Sequence, residues 1–222
     1  METFLFVEIM AYNGELHNQK CDTMFLIMDN TVGSLTQIER SVIIGSILGD
    51  GYLRTMPGRK DAFIEINHSI KAKEYVDYKY SILKRLCKSA PKERSGNEGR
   101  VAYRFFSIQH KELSDLEKVF YQHGRKTIPK DIEINPQILA IWYMDDGSKS
   151  RDRDVYLNTQ QFSVNEQKIL IFKLRELGIH VRLNKDKKYY RIRILKESIG
   201  DFMKIIDPFV IPSMRYKLVM TP

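Results

Sequence analysis

Cysteine is scarce in this chain: Cys21 and Cys87 are the only two among 222 residues. They have no metal-ligand spacing and build no disulfide framework, which points to a reducing compartment. Long apolar runs are missing too. The chain opens Met1-Glu2-Thr3-Phe4-Leu5-Phe6-Val7-Glu8. No basic segment precedes that apolar stretch and Glu8 interrupts it, so a signal peptide, a transit peptide, a transmembrane span and a membrane partner are all unexpected. Basic residues are sparse only at the start. Residues 1–36 hold five acids and one lysine, a net −4; with +8 for the whole chain, residues 37–222 carry +12. A basic globular body points to a polyanionic partner. At 43% hydrophobic, the chain can fill one or two small cores. Residues 1–35 have no readable role and are read as an N-terminal extension.

What the chain does have is two apolar segments that end in Asp-Gly, with Asp50 and Asp146 96 residues apart. They are Ile43-Ile44-Gly45-Ser46-Ile47-Leu48-Gly49-Asp50-Gly51 and Leu139-Ala140-Ile141-Trp142-Tyr143-Met144-Asp145-Asp146-Gly147. Each is predicted to be a helix with a clean start. Thr36 lies three residues before Glu39, a capping box. Asn135 precedes Pro136, a cap followed by the helical position where proline fits. Glycine suits the left-handed residue that closes a helix. The acid does not, because a carboxylate there faces the negative end of the helix dipole, typically costing about 0.3–1 kcal/mol. Accepting that cost at two matched positions points to carboxylates that hold a cation. Trp142, at helical spacing, is read as core.

The segments after the two helices also repeat. In the first unit come Tyr52-Leu53-Arg54, a charged turn, a strand Phe63 to His68, a helical stretch Ile70 to Leu86, a polar turn, a strand Val101 to Ile108 and a short helix with Leu113, Leu116 and Phe120. In the second come a charged loop, Ser148 to Asp154, a strand Val155 to Gln160, and a helix opening on a second capping box, Ser163 and Glu166, that stops at Gly178. A hairpin Val181 to Ile194 is expected to turn at Lys185-Asp186, and a last helix runs to about Ile206. Each unit therefore reads αββαββα. Lys126 closes the first, 76 residues after Asp50, and Lys217 the second, 71 after Asp146. Such a repeat means two similar half-structures related by a pseudo-two-fold axis: residues 36–134 and 135–222. Within the hairpin, Tyr189, Arg191 and Arg193 fall on one face of a strand, with Tyr190, Ile192 and Ile194 on the other. Arg182 lies on the facing strand. Such a ribbon can lie in a DNA major groove and reach phosphates and guanine edges. Arg54 and Arg104 are the corresponding candidates in the first half.

These residues resemble the LAGLIDADG homing endonucleases in their single-chain, two-motif form, over about residues 36–218. The first motif matches at its third-position glycine and closing Asp-Gly; the second is the aromatic Met-Asp-Asp-Gly variant, with Ile141 and Asp145 where the family name spells Gly and Ala. The resemblance implies an α+β fold whose antiparallel sheets form a DNA-binding saddle, with the motif helices side by side. Asp50 and Asp146 would then converge, and two converging carboxylates favour a divalent cation, Mg²⁺ or Mn²⁺, which activates water for phosphodiester hydrolysis. Each aspartate would serve one strand of double-stranded DNA, in a protein acting as a monomer. Asp145 rivals Asp146, but consecutive helical residues project about 100° apart, and the first motif has Gly49 at that place, so register selects Asp146. In similar proteins a basic residue lies near the scissile phosphate at the places held here by Lys126 and Lys217, where it could stabilise the phosphorane charge. His68 and Gln160 sit at equivalent points of the two repeats and are candidates for ordering water or touching DNA.

The activity implied is a site-specific double-strand break that promotes intron mobility. The chief alternative is an RNA maturase that helps its own intron fold, and a second is a DNA-binding regulator with dead sites. Retention of both Asp50 and Asp146 disfavours these two. An intein is not expected: the chain runs from Met1 to Thr221-Pro222 without a splice-junction Cys or Ser and His-Asn pair. An intron reading frame within an organelle genome, or a prokaryotic cytoplasmic protein, needs no targeting segment.

Overall fold

The computed structural model describes residues 33–96, 99–150 and 154–218. Apart from its last three residues, the extension expected over 1–35 lies outside the described residues, as does Cys21. Helix α1 (Gln37–Leu48) begins with the expected capping box: Thr36 Oγ1 accepts from the Glu39 amide and the Glu39 carboxylate accepts from the Thr36 amide. Two antiparallel sheets follow the pattern of the repeat. β1 (Tyr52–Arg54), β2 (Phe63–Ser69), β3 (Lys92–Ser95) and β4 (Val101–Phe106) pair in the order β1-β2-β4-β3, with α2 (Lys73–Leu83) and α3 (Lys111–Phe120). A small hairpin, β5 (Tyr121–Gln122) and β6 (Arg125–Lys126), leads to α4 (Pro136–Asp146). β7 (Gly147–Ser150), β8 (Asp154–Leu157), β9 (Val181–Asp186) and β10 (Tyr189–Ile194) then pair in the equivalent order β7-β8-β10-β9, with α5 (Val164–Glu176) and α6 (Ile199–Ile206). The fold is α+β, with two pseudo-symmetric αββαββα halves.

α1 and α4 are apolar almost all round, the pattern of helices buried on every side, and each residue from Ile138 to Met144 is buried. Asn135 caps α4, its Oδ1 accepting from the Ile138 amide at 2.8 Å, while its Nδ2 donates to Ser41 Oγ on α1 at 2.9 Å. The two helices cross at Gly45. A Cβ there would lie 2.7 Å from Ile141 Cβ and 2.8 Å from the Ile138 carbonyl oxygen. The second motif can therefore carry Ile141 where a small residue is usual, because the glycine opposite leaves the space. The inward sheet faces (Ile64, Ile66 and Phe105; Val155, Leu157, Ile192 and Ile194) close over this pair in one core that includes Trp142, as expected. Among the described residues no helix is long and apolar enough to cross a membrane.

Two local expectations are corrected. Ser148 to Asp154 is not a loop throughout, since Gly147–Ser150 form β7 and pair with Leu157 to Asp154. Its side chains give no apolar alternation to read; the hydrogen bonds of its partner define it. The β9–β10 hairpin turns at residues 187–188 rather than at Lys185-Asp186, which pair with Tyr190 and Tyr189. Lys187 takes the left-handed conformation, φ 54°. Charged residues at an outward-facing strand end look like a turn in sequence because both are solvated.

Candidate active site and nucleic-acid face

The closing glycines of the motifs are not left-handed, contrary to expectation: Gly147 has φ −73° and neither it nor Gly51 is among the positive-φ residues. They are needed for room. A Cβ on Gly51 would meet Ser46 at 2.8 Å, and one on Gly147 would strike the Tyr143 ring at 2.1 Å. The chain leaves each helix end tightly folded back, and this places Asp50 and Asp146 at the mouth rather than inside the core.

Lys126 and Lys217 answer the dipole cost of those acids. Lys126 Nζ donates to the Gly49 carbonyl at 2.7 Å. Lys217 Nζ donates to Met144 O at 2.6 Å and Gly147 O at 3.0 Å. Each ammonium therefore sits on the negative end of one motif helix. The β5–β6 hairpin delivers Lys126. His123 and Gly124 at its turn have φ 51° and 74°, the pair of left-handed residues that a two-residue hairpin favours, and Tyr121 Oη accepts from the Leu53 amide at 3.1 Å. Burial lowers the pKa of both lysines, opposed by the charges of Asp50, Asp145 and Asp146.

The acids divide into two environments. Asp146 and Asp50 line an open cleft of about 630 Å³ with Lys126, Arg125, Tyr52, Asn158, Gln160 and Gln161. Burial, then the Asp50 and Asp145 charges, push the Asp146 carboxyl up to about 7. Among the described residues no donor hydrogen-bonds that carboxylate. A half-buried acceptor without a donor, beside other acids, is a fit for a hard cation with oxygen ligands. Asp145 points the other way. Its side chain is fully buried and paired with the equally buried Lys79, Nζ lying 2.7 and 2.9 Å from the two carboxylate oxygens. A Cβ on Gly49 would lie 2.4 Å from Asp145 Cβ, so the two motifs align Gly49 with Asp145 and Asp50 with Asp146. His68 bridges the two environments: Nδ1 is 3.5 Å from Asp50 Oδ2 and Nε2 is 3.6 Å from Asp145 Oδ1. Among the described residues the three side chains that come together at metal-ligand distance are Asp50, His68 and Asp145, without Asp146, but Lys79 already neutralises the buried member of that group. Gln160 does not meet His68. It lines the cleft and donates to Asp186 at 2.8 Å.

The predicted arginines lie on the outward sheet faces. In the second sheet Arg193 stands opposite Arg182 and Tyr156. Arg191 donates to Asn158 Oδ1 at 3.3 Å and stacks 3.8 Å from the Tyr156 ring centre; Arg193 is ion-paired with Asp154. In the first, Arg54 and Arg104 share Glu65, at 3.4 and 3.3 Å. The same face carries Lys92, opposite Arg104, and Arg94, opposite Ala102.

Sequence reasoning missed Lys79, Asn158 and Arg125. Lys79 left a signal: Tyr75, Lys79 and Leu83 recur every fourth residue along the buried stripe of α2, and a lysine within such a stripe needs a buried partner. Asn158 and Arg125 left none, since their place depends on how the two halves meet.

Residues 40–202 match the family model described as the LAGLIDADG DNA endonuclease family. A probable intron-encoded endonuclease 1 from Wickerhamomyces canadensis is 29% identical over 202 residues, 84% of this chain and 86% of that protein. The cytochrome b mRNA maturase bI2 of Saccharomyces cerevisiae is 30% identical over 211 residues, 86% of this chain but 49% of that protein. Among solved structures, the homing endonuclease I-WcaI bound to its DNA recognition sequence aligns with a TM-score of 0.78 and 27% identity, covering 86% of this chain and 90% of that one.

Proposed function

The chain belongs to the LAGLIDADG DNA endonuclease family, and from that premise we propose that it is a homing endonuclease, acting as a monomer that makes a site-specific double-strand break. The observation that carries this reading is the pair of cleft-facing carboxylates, Asp50 and Asp146, each at the end of a motif helix whose last carbonyls are held by a half-buried lysine. The two motifs, with boundaries near residues 36–134 and 135–222, supply one aspartate per DNA strand. Asp50 and Asp146 are the residues that would hold Mg²⁺ or Mn²⁺, which supplies activated water and charge stabilisation when bound. Lys126, in the same cleft, places fixed positive charge where a phosphate would gain negative charge, and Lys217 does so from the α4 end. Gln160 and Asn158 present amides to the cleft for ordering water or holding the backbone. The basic outward faces of the two sheets, with Arg54, Arg104, Arg182, Arg191 and Arg193, form the saddle along which duplex DNA lies.

The match to an mRNA maturase favours one second reading, that the chain also binds its own intron RNA. Both readings fit an intron reading frame, of an organelle or of a prokaryote. One assay tests the endonuclease reading. Plasmid carrying the intronless target should be linearised with Mg²⁺, bound without cutting in Ca²⁺, and left intact in excess chelator. Cutting that persists in chelator would overturn the two-carboxylate mechanism; no cutting under any condition, with tight binding of the intron transcript, would favour the maturase.

A further inference from the structure

The pseudo-symmetry of the two motifs breaks at one place. Gly49 has no side chain, while Asp145, its counterpart, carries a carboxylate into the helix interface. That carboxylate does more than fill space. One oxygen, Oδ2, faces the backbone N–H of Asp50 at 3.4 Å, and the other, Oδ1, lies 3.6 Å from His68 Nε2. His68 in turn places Nδ1 against the Asp50 carboxylate at 3.5 Å. Asp145 therefore touches Asp50 directly at its main-chain N–H, and it also stands beside the imidazole that faces the Asp50 carboxylate, whose buried Nε2 makes no hydrogen bond. Nothing comparable reaches Asp146 among the described residues.

Lys79 decides where Asp145 points. Its ammonium is fully buried, lies 4.4 Å from the Tyr75 ring centre, and binds both oxygens of Asp145. Tyr75 Oη donates to the Ile141 carbonyl of the same helix at 3.1 Å. α2 of the first half thus grips α4 of the second at two points one turn apart. A buried pair of this kind is poor evidence for stability, because an apolar pair of the same volume often does as well. Its presence at this spot calls for another reason.

We infer that Lys79 is a positioning residue for the Asp50 half of the site, acting through Asp145. The inference rests on the endonuclease reading for its cleavage assay but not for its structural one. By aiming Asp145, the lysine fixes the Asp50 main chain and sets the carboxylate beside the His68 ring, and it reaches the Asp146 half only through the charge of Asp145. The two strands of the target are therefore served by unequal sites.

The test compares wild type with Lys79→Met/Asp145→Asn, which removes both charges together, and with Asp145→Asn alone, which keeps an acceptor for the lysine. In metal-free protein without DNA, the Asp50 amide ¹⁵N–¹H resonance should move in both variants by more than that of Asn158, whose amide donates to the Asp146 carbonyl at 3.0 Å and reports the other half. An Asp50 resonance unmoved in Asp145→Asn would overturn the inference, whatever the enzyme cuts. For cleavage, single-turnover rates are measured at saturating protein with each target strand end-labelled. Target affinity should stay within about twofold, since phosphate contacts elsewhere dominate it. One strand should be cut about 10–100-fold more slowly in the double variant and less so in Asp145→Asn, so that nicked plasmid accumulates. Both strands cut at wild-type rates, or both slowed alike, would overturn it. If the double variant fails to melt cooperatively, Asp145→Asn alone decides. Wild type that cuts nothing would count against the endonuclease reading and leave the resonance test standing.

Discussion

Asp145 and Asp146 are neighbours separated by about 100° of helix rotation, and that rotation decides their chemistry. Lys79 reaches Asp145 at 2.7 Å and encloses it, whereas Asp146 opens on the cleft, its carboxyl pushed up to about 7 by burial and by Asp50 and Asp145. Replacing Asp146 by Asn should nearly abolish double-strand cleavage while target binding survives, and Asp50→Asn should do the same. Asp145→Asn should be much milder, slowing one strand rather than both. The measurement is strand-resolved single-turnover cleavage beside a gel-shift titration; an inactive Asp145→Asn with a competent Asp146→Asn would reverse the assignment. That Asp145 rather than Asp146 meets the first motif helix was legible in the sequence, because aligning the motifs sets Gly49 against Asp145 and the contact between them follows. The partner of Asp145 was not. Lys79 comes from α2, a segment whose lysines are otherwise solvated, and only the packing of α2 on α4 gives it a destination. Lys126 and Lys217 were legible as matched positions, but not as groups that cap the helix ends, because hydrogen bonds to main-chain carbonyls leave no trace in residue type.

Elements with strong local signals stand where the chain implies them. α1, α4 and α5 each begin at a side-chain cap that satisfies an otherwise unpaired amide. Elements made by pairing alone did not show themselves. β7 is polar and held by β8, and the β5–β6 hairpin is two residues on each side. The helix crossing lies between these cases. The glycine in α1 is visible, but its job depends on Ile141 across the interface. A methyl group on Gly45 has nowhere to go, being within 3 Å of both a side chain and a main-chain oxygen. Gly45→Ala should therefore destabilise the protein by about 1–3 kcal/mol, the usual range for overpacking, and lower cutting by parting the motif aspartates. Gly200, in α6, has ordinary helical backbone, and a Cβ added there would meet nothing within 4 Å. Gly200→Ala should be neutral or stabilising by up to about 1 kcal/mol. Urea unfolding of the two variants checks the contrast; equal stabilities would show that the helices can move apart at no cost.

At the scale of the whole molecule, the proposed function assigns reading and cutting to different parts. The motif helix ends hold the acids, and the outward faces of the sheets hold the arginines, already fixed before any partner arrives. Arg191 lies on the Tyr156 ring and is tied to Asn158, and Arg193 is paired with Asp154. The hairpin face was legible because strand alternation alone puts Tyr189, Arg191 and Arg193 together; their acidic and aromatic partners on β8 were not, since they come from pairing across the sheet. Preorganised side chains lose less freedom on binding, so removing one should be felt in affinity. Arg191→Ala or Arg193→Ala should weaken target binding by about 1–3 kcal/mol if the guanidinium makes a bidentate contact to a base, with preference relaxed at one or two base pairs of the outer half-site. If the residue meets only phosphate, all sequences should weaken together and the slope of log affinity against log salt should fall by about one. Either way, single-turnover cleavage at saturating protein should change little, because neither arginine lines the cleft of Asp50 and Asp146. Titrations of target and random DNA across a salt series separate the two contacts. Wild-type affinity for both DNAs at every salt concentration would remove this face from the recognition surface and leave the charge of +12 on residues 37–222 to act elsewhere.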